Sequence, residues 1–106
     1  MSRRRGRALV VLPHAQLDIL AIIEHLEEER ASLGTVRFAA ALKERLALLP
    51  SDCMWPVVVA KRAIRWAPME RPWEKYGIFF TVDDEEIRVR AVFHLARNVR
   101  RHLRGR

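Results

Sequence analysis

Basic side chains and one histidine gather where the chain alternates apolar and polar residues. His94 lies six residues after Arg88 and four residues after Arg90. Lys61 and Arg65 lie four residues apart in an earlier apolar run. Cleavage of RNA by attack of a 2′-OH on its neighbouring phosphate requires a base, a cation for the developing charge and an acid for the leaving oxygen. These residue types therefore suggest one hypothesis, RNA cleavage, in which Lys61 or His94 transfers protons. The candidates for holding charge are Arg62, Arg65, Arg88, Arg90 and Arg97.

Two strands of a β-hairpin are predicted to position these groups, over residues 76–82 and 87–94. Successive residues of a strand point to opposite faces, so we expect Arg88, Arg90 and His94 on one face and an apolar core on the other. The acidic residues 83–86 predict the turn between the strands. If Lys61 and Arg65 lie on the same sheet face as His94, a cationic patch centred on His94 results.

The same residues also have a structural interpretation. Arginines on a solvated strand face are ordinary surface residues, and a histidine at the end of a strand most often packs or donates a hydrogen bond. His14, His25 and His102 have no paired ligand nearby in the sequence, so we expect neither a metal site nor a cofactor. The single cysteine, Cys53, cannot form an internal disulfide, which suits a reducing cytoplasm.

The net charge of +7 is concentrated at the two ends of the chain. Residues 8–96 carry eleven Lys and Arg against all thirteen Asp and Glu, a balance of −2. Basic ends favour a phosphate or an acidic protein partner, and they are equally typical of solubilising tails. No apolar run approaches the ~18 residues of a membrane span, and the apolar stretch after the first arginines is too short for a signal peptide. We therefore expect a soluble, cytoplasmic protein.

The length of 106 residues predicts a single domain with one core. Residues 8–12 predict a strand, residues 14–30 and 35–49 two amphipathic helices, and residues 57–66 a second strand before the hairpin. Two helices joined by a short connection should pack antiparallel, and together they should cover one face of the sheet. We expect an α+β fold with a helical hairpin on a small antiparallel sheet. Residues 1–7 and 99–106 are expected to be basic tails around a domain of residues 8–98.

Several groups of residues resemble the RelE/ParE superfamily of bacterial toxins from toxin–antitoxin systems, within it the ParE-like branch. In the first half they are residues 12–15 with Asp18, Ile19 and Ile22, then Arg37 and Phe38 with Leu42, Leu46, Leu49 and Pro50. In the second half they are Arg65 before a two-proline loop, residues 76–80, residues 92–94, Ala96 and Arg97. The resemblance spans about residues 8–98 and implies the fold described above.

This resemblance implies two different mechanisms. ParE-like toxins poison DNA gyrase through protein–protein contact, whereas RelE-like toxins cut messenger RNA on the ribosome. The second mechanism would make His94, Arg65, Lys61 and Arg90 the catalytic set. The only tyrosine, Tyr76, falls on a predicted core face, and the tryptophans are expected to pack in a core this small, so stacking residues for RNA are lacking. We therefore favour the gyrase reading, with no enzymatic activity.

The resemblance also implies an antitoxin as partner. Such partners fold on binding and lay a helix in a groove or a strand along a sheet edge, here residues 8–12 or 57–66. For gyrase, we expect contacts from the helical hairpin and from Arg97, Arg100 and Arg101. A ribosome-dependent endonuclease remains the alternative, and a member that binds its partner without being toxic is a third interpretation.

Overall fold

The computed structural model describes residues 7–29, 32–96 and 98–104. The elements, in chain order, are β1 (Ala8–Val11), α1 (Pro13–Glu28), α2 (Ser32–Leu48), β2 (Val57–Val59), a 3₁₀ turn (Ala60–Arg62), β3 (Ile64–Pro68), β4 (Tyr76–Val82), β5 (Glu86–His94) and α3 (Val99–Leu103). The α1–α2 hairpin packs on the sheet, mainly through contacts of α1 with β5. The predicted α+β fold is therefore confirmed.

The five described strands form one sheet in the order β1-β5-β4-β3-β2. Strands β2 to β5 pair antiparallel, as expected. Strand β1 instead runs parallel to β5, with Ala8 beside Glu86 and Val11 beside Val89. The prediction of a wholly antiparallel sheet is wrong at this pair. A parallel pair needs a long crossover connection, and the chain between β1 and β5 supplies it.

Helix α1 begins with Pro13 in its first turn, where the missing N–H of proline has no helical partner to lose. Helix α2 begins at Ser32, three residues before the predicted start, so Gly34 lies in its first turn. Glycine lowers the stability of a helix only slightly in the first turn, because the first N–H groups have no hydrogen-bond partner within the helix.

The helix-side core fills the space between the helical hairpin and the sheet. Helices α1 and α2 bury apolar side chains against alternate residues of β4 and β5. The buried members include Ala15, Ile22, Leu26, Phe38, Leu42, Leu49, Ile78, Phe80, Ile87, Val89 and Val92. Phe38 meets the rings of Trp73 and Tyr76 edge-on, each at 5.3 Å between centroids. The predicted apolar face of β4 is thus confirmed.

An outer core lies on the opposite face of the sheet, beneath α3. Phe79 and Phe93 stack with ring centroids 4.5 Å apart, and Leu103 of α3 is 2% exposed against them. The Arg62 guanidinium donates a hydrogen bond to the carbonyl oxygen of Leu103 at 2.9 Å. Part of the predicted C-terminal tail is therefore a helix packed on the sheet. Residues 1–6 of the predicted N-terminal tail lie outside the described residues.

The predicted strand over residues 57–66 is two strands joined by a tight reversal. The 3₁₀ turn ends at Ala63, whose φ of 52° lies in the left-handed region. Strand β3 then returns alongside β2, with Arg65 beside Val57. The apolar run VVVAKRAIRW has the composition of one strand, and no glycine or proline marks the reversal.

Candidate functional site

The arginines predicted on β5 lie on the outer face of the sheet. The Arg90 Nε donates to the Thr81 hydroxyl at 3.0 Å, and the Arg88 guanidinium lies 2.6 Å from Glu86 and 3.2 Å from Asp83. Burial, and then the neighbouring guanidinium groups of Arg62 and Arg88, lower the pKa of Arg90. Three of the predicted cations therefore do lie close together.

His94 does not join these arginines, because a β-bulge at Arg90 changes the alternation of β5. Phe79 of β4 pairs with Ala91, and the next residue, Phe80, pairs with Val89, so Arg90 has no partner in this register. Beyond the bulge, Val92 packs in the helix-side core and Phe93 in the outer core. His94 shares the side of Val92. The prediction that Arg88, Arg90 and His94 share one face is wrong.

Lys61 and Arg65 also lie apart from each other. Lys61 is exposed in the 3₁₀ turn, outside any strand. Arg65 alternates with Ala67, a member of the helix-side core, and donates from Nη1 to the carbonyl oxygen of Trp55 at 2.6 Å. A shared strand face required an unbroken strand, which the reversal at Ala63 rules out. The cationic patch centred on His94 is not formed by these residues.

The predicted target-contact arginines are in and beside α3. Arg100 and Arg101 are exposed on this helix, and Arg97 lies outside the described residues. The Asn98 side chain caps the helix by accepting a hydrogen bond from the Arg101 N–H at 3.0 Å. The capped helix holds Arg100 and Arg101 in a defined place on the surface.

A cleft opens between α1, the end of β5 and α3, and we name it the His94 cleft. Its volume is about 460 Å³. It gathers a carboxylate, a phenol and three imidazoles over an apolar floor. The residues that line it are Asp18, Ala21, Ile22, His25, Tyr76, Val92, Phe93, His94, Ala96 and His102. A concave site with an apolar floor and convergent polar groups has the usual form of a binding site.

Asp18 and His102 form one end of the His94 cleft. The Asp18 Oδ2 accepts the backbone N–H of Val92 at 3.1 Å, and its Oδ1 lies 3.8 Å from the His102 Nε2. The His102 ring packs edge-on against Phe93 at 4.2 Å between centroids. These contacts join α1, β5 and α3 at one point.

Tyr76 and His94 form the other end, with ring centroids 5.2 Å apart in an edge-to-face arrangement. The Ala96 N–H donates to the His94 Nδ1 at 3.0 Å. Burial, and to a smaller degree the Glu29 carboxylate, raise the pKa of Tyr76. Glu29 itself lies 3.4 Å from the His25 Nε2. Burial therefore favours the neutral form of the Tyr76 phenol at this end of the cleft.

The sequence analysis named Asp18 only in the resemblance and assigned no role to His25 or His102. Asp18, Ile22 and His25 are spaced at i, i+4 and i+7, so they share one helix face. This spacing could have predicted that the three side chains of α1 line one site. No sequence pattern pointed to His102, because it belongs to a segment that was expected to be a tail.

In the described ranges, residues 7–29, 32–96 and 98–104, no three His, Cys, Asp or Glu side chains stand close enough to hold a metal ion. Over the same ranges, no helix combines the length and apolarity that crossing a membrane requires. Cys53 is buried, and its Sγ lies 3.7 Å from the Arg7 Nη1.

Comparison with solved structures shows a likeness of fold. The chain is similar to one in a structure titled "Chromosomal ParDE TA system from P. aeruginosa", with a TM-score of 0.70 and 16% sequence identity. The alignment covers 84% of this chain and 96% of that chain. No protein-family model matches the sequence, and no curated protein matches it either. The chain therefore has the fold of a ParDE component, which confirms the fold that the resemblance implied.

Proposed function

We propose that this chain is the toxin of a toxin–antitoxin pair, that it inhibits DNA gyrase by protein–protein contact, and that a cognate antitoxin neutralises it. One observation carries the proposal: the fold matches a chain of a ParDE toxin–antitoxin system over 96% of that chain's length. Fold likeness alone supports many functions. The residues named in the resemblance add support, since they were identified from the sequence alone.

The separation of His94 from the arginines supports contact rather than RNA cleavage. In the cleavage hypothesis, one phosphate has to meet a proton carrier and a cation together. Arg88 and Arg90 lie on the outer face, whereas His94 lies on the helix side. Arg65 is held by a carbonyl oxygen, and Lys61 lies in the 3₁₀ turn. Contact with a protein requires no such convergence.

Exposed basic residues of α3 are the proposed gyrase contact. Arg100 and Arg101 are exposed on a helix that Leu103 anchors to the outer core. A charged patch on an anchored element can fix the register of a protein complex and speed its formation. Arg97 lies outside the described residues, and it is proposed as a further contact because it is a basic residue close to Arg100 and Arg101 in the sequence.

Strand β2 is the proposed docking edge for the antitoxin. It is one edge of the sheet, and it exposes Val57 at 45% and Val58 at 36%, next to Met54 at 80%. The other edge, β1, is partly covered, because the Gln16 side chain donates to the carbonyl oxygen of Val11 at 2.8 Å. An apolar, uncovered edge invites pairing with a strand of another chain.

Plasmid supercoiling by purified gyrase, with and without this protein, tests the proposal. We expect loss of supercoiling together with trapped double-strand breaks. The charge-reversal variants Arg97→Glu, Arg100→Glu and Arg101→Glu should weaken the inhibition, whereas Arg71→Glu, at an 89% exposed position between β3 and β4, should not. No inhibition by a preparation that arrests bacterial growth would overturn the gyrase target, and cleavage of mRNA on ribosomes, with and without His94→Ala, would then be measured.

The antitoxin part of the proposal has a separate test. The partner is the protein that co-purifies when the neighbouring reading frame is co-expressed, and we expect it to be acidic. Its association rate should fall steeply as salt rises from 50 to 500 mM, because attraction to a chain of net charge +7 is screened. Val58→Asp should slow association, and Leu17→Asp, at a position 63% exposed on α1, is the matched control. A rate independent of salt would contradict electrostatic capture.

A further inference from the structure

Two hydrogen-bond donors in the His94 cleft have no acceptor within the described part of the chain. The Ala96 N–H donates to the His94 Nδ1, so that nitrogen carries no proton. A neutral imidazole must then carry its proton on Nε2, which makes Nε2 a donor. The second donor is the Tyr76 hydroxyl, since a phenol keeps its proton at neutral pH and burial raises its pKa further. The edge-to-face contact of the two rings keeps both donors at the same end of the cleft.

The other polar groups of the cleft already have partners. The Asp18 carboxylate binds the Val92 N–H and faces His102, and His25 faces Glu29. Tyr76 and His94 are half-buried side chains that line the open cleft. Their two donors are therefore the polar groups of this cleft that a ligand can engage.

The charge around these donors selects an uncharged acceptor. The Asp18 carboxylate lines the cleft, and the Glu29 carboxylate is near enough to Tyr76 to contribute, after burial, to the raised pKa of the phenol. These two carboxylates repel a carboxylate ligand, whereas an amide carbonyl carries no charge to be repelled. Ala21, Ile22 and Val92 form an apolar floor that fits an aliphatic group.

We propose that the His94 cleft binds an uncharged segment of a partner protein. An amide carbonyl of that segment accepts hydrogen bonds from the Tyr76 hydroxyl and the His94 Nε2, and an adjoining aliphatic side chain packs on Ile22 and Val92. A volume of about 460 Å³ accommodates a few residues of peptide. The choice of a protein as occupant rests on the proposed function, in which an antitoxin binds this chain.

Two matched peptides test the site on the full-length protein, labelled with ¹⁵N and followed by NMR. The probes are N-acetyl-Leu-Gln-Leu-amide and N-acetyl-Leu-Glu-Leu-amide at pH 7.5. We expect the glutamine peptide to shift the Tyr76 and His94 resonances to saturation and to bind at least about fivefold more tightly than the glutamate peptide. Equal affinities, tighter binding of the glutamate peptide, or no saturable shift at these residues would overturn the proposal.

Variants identify the donors. Tyr76→Phe and His94→Phe should each weaken binding of the glutamine peptide about five- to tenfold, the loss expected for one hydrogen bond. His94→Gln keeps an N–H donor and should restore most of the affinity. His14→Phe changes the one histidine that does not line the cleft and should leave affinity unchanged. Binding that survives both phenylalanine variants, each shown to be folded, would overturn the assigned contacts.

The peptide measurement and the supercoiling measurement fail independently. Peptide binding uses neither gyrase nor an antitoxin, so a negative peptide result leaves gyrase inhibition untouched. If the protein does not inhibit gyrase, peptide binding to Tyr76 and His94 can still be measured. A protein that inhibits gyrase but binds neither peptide would retain the proposed function and lose only this inference.

Discussion

The Asp18 carboxylate accepts the backbone N–H of Val92 at 3.1 Å, across 74 residues of sequence. Strand β1 covers this side of β5 only as far as Val89. Beyond Val89, the Asp18 side chain supplies the acceptor that a strand neighbour would otherwise provide. This side chain is 11% exposed. One carboxylate of α1 thus continues the hydrogen bonding of β5 beyond its pairing with β1 and also forms one end of the His94 cleft.

Replacing Asp18 by alanine should lower the free energy of unfolding by about 1–3 kcal/mol, because the Val92 N–H loses its acceptor in a largely buried place. Chemical denaturation at pH 7 measures the change. Asp18→Asn keeps a carbonyl acceptor and should cost less, and Asp84→Ala, at an exposed turn position, is the control. If Asp18→Ala and Asp84→Ala lowered the free energy of unfolding equally, the hydrogen bond from Val92 to Asp18 would not stabilise the fold.

Gly77 allows the Trp66 indole to cross β4 at close range. A Cβ at this position would lie 2.5 Å from the Trp66 Nε1 and 2.9 Å from a methyl carbon of Leu95. Gly77→Ala should therefore destabilise the fold by about 1–3 kcal/mol through overpacking. Thermal or denaturant unfolding gives the value.

The source of the Gly77 effect can be checked by a second substitution. Trp66→Phe removes the pyrrole part of the indole that the new methyl would strike. The double variant should thus be more stable than the sum of the two single changes predicts. Strict additivity would show that backbone freedom of the glycine, rather than the indole contact, causes the loss.

Leu103 anchors α3 to the outer core. Leu103→Ala should cost about 2 kcal/mol or more, since a buried leucine loses its contacts and leaves a cavity. Amide hydrogen exchange of Val99–Leu103 should accelerate more than that of β4 and β5, because only α3 loses its anchor. Leu48→Ala, at a position 48% exposed, should change neither quantity appreciably. Uniform acceleration across the sheet would mean that α3 unfolds only with the whole domain.

Asp83 organises the turn between β4 and β5. Its Oδ1 accepts the N–H groups of Glu86 at 2.8 Å and Glu85 at 2.9 Å. These bonds, with smaller contributions from Arg88 and Arg7, hold the pKa of Asp83 below its usual value of 3.8. A lowered pKa in the folded state stabilises the protein above the unfolded pKa, and the contribution is lost as pH falls through the folded pKa.

The stability difference between the wild type and Asp83→Ala should therefore be present at pH 6 and shrink as the pH falls below about 4. Denaturant unfolding at a series of pH values measures it. Asp84→Ala serves as the reference, because Asp84 is the neighbouring acid of the same turn. A difference that grows at low pH would have the wrong sign for this mechanism.

Sequence periodicity predicted the helical hairpin and the apolar face of β4 because each follows a regular repeat. Its failures fall where the repeat is interrupted. A bulge at Arg90 and a left-handed residue at Ala63 each reverse which face the following residues occupy, and neither position carries a glycine or proline. Non-local pairing decided both, so the predicted patch of Arg65, Lys61 and His94 did not form.

The His94 cleft could be predicted only in part. Helical spacing joins Asp18, Ile22 and His25, and the hairpin joins Tyr76 to His94 through their register. That these two sets face each other depends on the packing of α1 across β5, which no short stretch of sequence encodes. His102 enters only because Leu103 finds an apolar surface on the far side of the sheet.

The pairing of β1 with β5 places the first described strand beside the last. The chain must therefore close a loop of more than seventy residues before β5 has both of its neighbours. Contacts so distant in sequence slow folding. During synthesis, β5 is also the last of the described strands to be made, so this sheet can be completed only after His94 has been added to the chain.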